Sequence, residues 1–382
     1  MSDLPLFLYG TLRDRAVLEA VLGRQVAEAE LTPALLPDHA AREVMPGGWP
    51  LIRPEAGAVA PGLLFAPALA ERLRLDYYEL GYGYRLRATE ARRAEGTAVR
   101  ALVYFPPERG IETGGPWNLA DWQARDGGLA AEAASEYMSF FGIEPTESVA
   151  LRYPQMLARA QSRLAARTAC RPQRLHSGLQ RAAIEERAAR RPYARFFSVE
   201  ERDLMLPGLG GARITQQNRA AFVAVDAVMV LPYDPVRDRV LVVEQFRIGA
   251  YLRGDPHPWT LEPVAGRRDS GESPEETARR EALEEAGVRI VRLEKIAEYY
   301  PSPGCLSEYH ISYLGIADLP DLGHSLHGLD AEAEDIRAHV LPFDDLMAAV
   351  ESGEAETGPL ILAALWLAQA RGRLRAGPGG GA

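Results

Sequence analysis

The sequence predicts an α+β fold in two domains joined by helices. Three observations carry that prediction. The chain has 382 residues, long for one core and comfortable for two. Short strand-like runs separated by turns fill residues 1–125 and return from Tyr193 onward. Between them lies an Ala/Arg/Glu-rich stretch with helical periodicity.

In the first domain, 1–125, "LFLYG" from Leu6, "APGLLFA" from Ala60, "YRLRATEA" from Tyr84 and "VRALVYF" from Val99 read as strands. "RAVLEAVLG" from Arg15 and "PALAERLRLDYYE" from Pro67 read as helices. Residues 126–192 read as a helical connector, broken at "GIEP" from Gly142 and again near Pro172. The last domain, 193–375, begins with strands "RFFSVEE", "AFVAVDAVMVLPYD" and "VLVVEQFRI". A helix follows, then strands "IVRLEKIAEYY", "EYHISYLGIA" and "AHVLPFDDL", then a final helix "PLILAALWLAQARGRL". Strands alternating with two main helices predict an α/β/α sandwich. The tail "AGPGGGA", 376–382, is expected to be disordered.

Composition narrows the function classes. A formal net charge of −10 excludes a general nucleic-acid binder, which needs a basic face. Of the 43 basic residues all but Lys295 are arginine, a bias we ascribe to codon usage. Cys170 and Cys305 are too few for a disulfide framework, so a cytoplasmic location is expected. "MSDLPLFLYG" lacks the cationic leader of a signal peptide, and no apolar run is long enough to span a membrane.

"GRRDSGESPEETARREALEEAGV", Gly266 to Val288, is crowded with carboxylates. Ser273, Pro274 and Glu276 form a helix start with a capping box, and Gly287 is a stop, so a helix is predicted over 274–286. Glu275 and Glu276 suit the positive end of the helix dipole. Glu281, Glu284 and Glu285 lie at the wrong end and share one face at i, i+3, i+4. A cation among them removes both penalties, and carboxylate oxygens suit Mg²⁺ or Mn²⁺.

This stretch resembles the Nudix box, G-x5-E-x7-R-E-U-x-E-E-x-G-U, with Gly266, Glu272, Arg280, Glu281, Glu284, Glu285, Gly287 and Val288 on the pattern. The resemblance implies hydrolysis of a diphosphate linked to a nucleoside, with metal ions held by this helix. "WTLEPVAG" runs into the box and is similar to the ADP-ribose pyrophosphatase subfamily, which implies metal-assisting roles for Glu262 and the Ala265 carbonyl. "SPG" at Ser302 and the acidic "HGLDAEAEDIR" from His327 point the same way. The resemblance implies that Glu332 or Glu334 activates the water and that Arg247 binds the diphosphate. It further implies that Glu308 contacts the ribose or a metal, and that Phe196 or Phe197 stacks on adenine. The implied products are AMP and ribose 5-phosphate, and the implied assembly is a homodimer. Alternatives are a pyrophosphatase for nucleotide sugars such as GDP-mannose, and a sensor that binds ADP-ribose without turnover.

"LFLYGTLRD" is a strand ending in a small-residue turn, and "LDYYELGYGYRLRAT" places Glu79 at a helix end. Together they resemble the gamma-glutamylcyclotransferase (AIG2-like) family. That implies a small mixed β-barrel with helices and a pocket between Tyr9, Gly10, Thr11, Leu12 and Glu79. Glu79 would move protons on a gamma-glutamyl amine. Some proteins resembling this two-domain arrangement carry a tellurite-resistance label, which names a phenotype and no reaction.

Overall fold

The structure is a computed structural model that describes residues 4–107, 111–170, 172, 174–328 and 334–376. The chain divides into two compact units, Met1–Ala169 and Cys170–Ala382.

In the first unit the strands are β1 (Leu6–Leu8), β2 (Leu31–Val44), β3 (Pro50–Phe65), β4 (Arg85–Arg93), β5 (Ala98–Phe105) and β6 (Thr113–Pro116). They run in the order β3-β1-β5-β4-β2-β6, and a further β3–β2 pairing closes the sheet into a barrel. Phe7, Tyr9, Leu36, Ile52, Leu64 and Val103 fill its interior. The helices are α1 (Arg15–Leu22), α2 (Leu69–Leu80), α3 (Leu119–Trp122), α4 (Gly128–Met138), α5 (Thr146–Ala150) and α6 (Tyr153–Thr168). Asp14 caps α1 by accepting from the Val17 N–H, and Gly23 ends it in the left-handed conformation. The long β2–β3 hairpin was only partly visible in the sequence. Pro33, Pro37, Pro54 and Pro61 interrupt the alternation, and prolines argue against an inner strand.

The residues read as a helical connector, 126–192, divide between the two units. Helices α4 and α6 belong to the first, held together by the Glu136–Arg159 pair at 2.6 Å, both nearly fully buried. Glu185–Ala194 belongs to the second and is strand, β7. Its register against β8 (Ser198–Pro207) matches Arg190 with Glu201 and Arg191 with Glu200 in ion pairs across the sheet. With β9 (Arg213–Val223) these strands form a 3-stranded antiparallel sheet.

The main sheet of the second unit is 8-stranded. It contains β10 (Ala227–Asp234), β11 (Arg239–Phe246), β12 (Trp259–Glu262), β13 (Val264–Arg267), β14 (Arg292–Tyr299), β15 (His310–Ile316), β16 (Gly323–His327) and β17 (Ile336–Pro342). A short α7 (Ile248–Arg253) follows β11. The central strands β10 and β11 are buried on both faces. Val228, Val230, Leu241 and Val243 pack under α8 (Pro274–Ala286) through Ala278, Ala282 and Ala286. Leu231, Tyr233, Val240 and Val242 pack under α9 (Phe343–Ser352) and α10 (Gly358–Arg375). The predicted α/β/α layers are therefore present. Of the expected disordered tail 376–382, all but Ala376 lies outside the described residues.

Candidate functional site

Each unit carries a buried acidic site. In the second, α8 starts with the capping box of Ser273 and Glu276 and ends at Gly287 in the left-handed conformation. Those local signals set the helix register, and register places Glu281, Glu284 and Glu285 on the side of β13. Gly266 makes that approach possible: a Cβ there would lie 1.8 Å from Glu281 Oε1. Glu285 is 3% exposed and accepts from the Ala265 N–H at 3.0 Å. Burial pushes the Glu285 carboxyl up to about 8, and Glu281 and Glu334 reinforce the shift. Burial likewise pushes Glu281 up to about 7, against the lowering effect of Arg280.

Arg280 holds the cluster together. It donates to Glu272 at 2.8 and 3.0 Å, to Glu281 at 2.7 Å and to Glu284 at 2.9 Å. Among the described residues no three His, Cys, Asp or Glu side chains converge as a metal-holding group. The Arg280 guanidinium bonds to Glu281 and Glu284, while Glu285 accepts from the Ala265 N–H. Glu262, expected to assist the metals, accepts from Arg247 at 2.8 Å and 2.5 Å and from the Thr260 hydroxyl at 2.6 Å. Arg247 feels the charges of Glu285 and Glu334, so it borders the acidic cluster. Of the two proposed water-activating residues, Glu334 acts electrostatically on both Glu281 and Glu285. Glu332 lies outside the described residues.

Phe196 and Phe197 sit in the β7–β8 turn, edge to face at 4.8 Å, and both are exposed. Arg267, at the end of β13, lies 4.3 Å over the Phe196 ring, which sets Phe196 beside the box. Glu308 accepts from, and is held by, His310 Nε2 at 2.8 Å. Sequence reading passed over His310, because nothing local in "SEYHISY" marks a buried imidazole as a partner of the glutamate two residues earlier.

In the first unit, β1 delivers Tyr9 to the end of the barrel, and Gly10 opens a turn over Thr11–Arg13. A Cβ on Gly10 would come within 2.8 Å of Pro50 Cγ, so only glycine lets the turn pass that hairpin. Leu12 is buried and anchors the turn. Glu79 lies in the last turn of α2, where burial alone pushes its carboxyl up to about 7. Tyr9, Tyr78, Tyr82, Tyr84, Tyr104, Tyr137 and Tyr153 all feel its charge. Tyr9 and Tyr84 hydrogen-bond to each other, and the Tyr82 hydroxyl is buried without a partner among the described residues. The site therefore brings together Tyr9 and Glu79 as expected, and adds a ring of tyrosines. The density of tyrosine in "YYELGYGY" was the available signal.

Comparison with known proteins matches both units. A family model described as NUDIX domain covers residues 223–362, and one described as Gamma-glutamyl cyclotransferase, AIG2-like, covers residues 6–124. The chain is 38% identical over 175 residues to an ADP-ribose pyrophosphatase of Escherichia coli (strain K12), spanning 46% of this chain and 83% of that protein. It is 32% identical over 177 residues to an ADP-ribose pyrophosphatase of Haemophilus influenzae, spanning 46% of this chain and 81% of the relative. A GDP-mannose pyrophosphatase of Cronobacter sakazakii is 31% identical over 149 residues, spanning 39% of this chain and 76% of the relative.

Proposed function

Because the chain belongs to the Nudix family through its second unit, we propose that it hydrolyses ADP-ribose to AMP and ribose 5-phosphate in a reaction that needs Mg²⁺ or Mn²⁺. The observation that carries this reading is the acidic face of α8, half-buried at Glu281 and Glu284 and buried at Glu285, in a chain 38% identical to an ADP-ribose pyrophosphatase. The donor set suits a divalent cation: Glu285 is buried and Glu281 half-buried on one helix face, and loss of water raises both carboxyls despite Arg280 beside Glu281. A bound cation supplies neutralisation of the diphosphate oxygens and acidification of water.

The chain's own residues do the rest. Glu281, Glu284 and Glu285, with the Ala265 carbonyl, would hold the cation, and Arg280 bonds to Glu281 and Glu284. Glu262 holds Arg247 through Nε and Nη2, and the guanidinium so held would bind the diphosphate. Glu334 takes the proton of the attacking water, with Glu332 the other candidate. Glu308 orients the terminal ribose. Phe196, beside Arg267, stacks on the adenine, with Phe197 at its edge. The working form is a homodimer in the cytoplasm, a location compatible with free, exposed Cys170 and Cys305. No described helix is long and apolar enough to cross a membrane. In the first unit Glu79 transfers protons on a gamma-glutamyl amine, a role supported by a carboxyl pushed up to about 7.

The test is kcat/KM of the purified chain for ADP-ribose and GDP-mannose at one Mg²⁺ concentration, with product identification. ADP-ribose should be preferred. A preference for GDP-mannose of about tenfold or more, roughly 1.4 kcal/mol, would establish the second reading, which the 31% identical relative favours. Metal-independent binding without turnover would make the protein a sensor. Sedimentation of a fully active monomer would remove the dimer.

A further inference from the structure

Glu308 is fixed on both sides by backbone. The Phe222 N–H donates to the Cys305 carbonyl at 2.8 Å, and the Ser307 N–H donates to the Phe222 carbonyl at 2.9 Å. The Ser307 hydroxyl accepts from the Ala224 N–H at 3.0 Å and donates to the Ala224 carbonyl at 3.2 Å. Beyond Glu308, the Tyr309 carbonyl accepts from the Ala227 N–H at 2.9 Å. The loop is therefore stitched to the segment between β9 and β10. None of these bonds sets the direction of the Glu308 side chain.

His310 does. It is 6% exposed at the start of β15, with its ring edge to face against Tyr299 at 5.3 Å. Its Nε2 lies 2.8 Å from Glu308 Oε2. A carboxylate only accepts, so Nε2 carries the proton of this bond. The other ring nitrogen, Nδ1, is buried and has no partner among the described residues. The contact with Glu308 is thus the one polar task the imidazole performs there. Packing alone would favour an apolar side chain at such a position, because a half-satisfied buried imidazole is costly.

Strand register says where this pair stands. Ala227 on β10 pairs with Arg267 on one side and with His310 on the other. The two flanking residues are therefore two strand spacings apart, about 10 Å. Gly266, against which Glu281 packs, precedes Arg267, and Glu308 precedes His310 by two residues. Glu308 thus sits at the box end of the sheet, across β10 from Arg267 and the Phe196 ring.

We infer that His310 is a positioning residue, whose Nε2–H holds the Glu308 carboxylate toward the ribose of a bound nucleoside diphosphate derivative. The inference deepens the proposed hydrolase reading and rests on it. Without the imidazole, a partly exposed glutamate on a loop samples several rotamers, and the ribose contact is lost.

The experiment uses the full chain and compares His310→Gln, His310→Asn and His310→Leu. Glutamine can place an amide donor near the Nε2 position, whereas asparagine places its donor near Nδ1 and leucine has none. The expected result is a rise in KM for ADP-ribose of about tenfold or more in the Leu and Asn variants, with kcat changed far less, and recovery of most of that loss in the Gln variant. Glu308→Gln should lose as much as His310→Leu, and the double variant should lose no more than Glu308→Gln alone. Equal losses in the Gln and Leu variants, or additive losses in the double variant, would overturn the assignment. Should the Leu variant fail to fold, the Asn and Gln variants and the Glu308→Gln cycle built on His310→Asn still decide it. Wild-type turnover is measured first. If the wild type cleaves GDP-mannose in place of ADP-ribose, the proposed substrate fails, and the same ratios on GDP-mannose decide the role of His310.

Discussion

The two units bury carboxylates in opposite ways. Glu79 is an acid ringed by tyrosines, one of which, Tyr104, donates to Asp76, and burial alone pushes Glu79 up to about 7. Glu281 and Glu285 are pushed up to about 7 and about 8 by burial, but they lie in a crowd with Glu284, Glu272, Glu334, Arg280 and Arg247. A similar shift therefore has two meanings. A lone carboxyl near neutrality can give or take one proton at working pH, which is what general acid–base chemistry needs. A set of neighbouring carboxyls cannot all ionise without added positive charge, which is what a cation site needs. Arg280 supplies only part of that charge to Glu281 and Glu284, and its guanidinium makes no bond to Glu285.

The comparison breaks most clearly if the sites are not independent. Glu285→Gln should lower ADP-ribose hydrolysis by about 10²-fold or more, since several kcal/mol of charge stabilisation is lost. It should leave any cyclotransferase activity unchanged. Glu79→Gln should do the reverse, abolishing release of 5-oxoproline from gamma-glutamyl compounds. Assaying both reactions on one preparation of each variant decides this; loss of both activities in either variant would end the separation drawn here.

A smaller effect should follow from Gly266→Ala. The new Cβ would need the space of Glu281 Oε1. A displacement near 1 Å of a reacting group costs up to about 10²-fold, so we expect a loss between about tenfold and that limit, with the fold retained. Turnover measured across a Mg²⁺ series checks it, and wild-type rates at low Mg²⁺ would show that the close packing of Glu281 on β13 is not used.

The smallest effect sharpens the comparison from the other side. Burial raises the Glu79 carboxyl from its ordinary value to about 7 in the folded state. Between those values the folded state binds more protons than the unfolded one, so stability falls as pH rises through that window and levels off above about 7. Glu79→Gln removes the share of this dependence that belongs to the first unit's Glu79, and leaves that of Glu281 and Glu285. Its melting temperature should match the wild type near pH 4.5 and exceed it by several degrees at pH 8. Thermal melts of both proteins at the two pH values measure this. A wild type that loses nothing over that range would mean that water reaches Glu79 freely.

The α8 site was legible because its information is local. Ser273, Pro274, Glu276 and Gly287 set the ends of the helix within a few residues of chain, so the predicted span 274–286 matches Pro274–Ala286. Once the ends are set, 3.6 residues per turn puts Glu281, Glu284 and Glu285 on one face with no further information. Glu79 was placed at a helix end for the same reason, and α2 runs Leu69–Leu80. What the sequence could not decide were pairings between residues far apart in the chain. The strand Glu185–Ala194 was read as helix because its Arg, Ala and Glu residues favour one; cross-strand ion pairs with β8 outweigh that weak preference. Glu262 matched a metal-assisting pattern, and its partner Arg247, 15 positions earlier, is supplied by the tertiary structure. The tyrosines around Glu79 come from the residue after β1 and from α2, β5, α4, α6 and the turn after α2, segments far apart in the chain. Capping and periodicity act within a turn or two of helix, whereas side-chain partners are chosen by whichever surfaces the sheet register brings face to face.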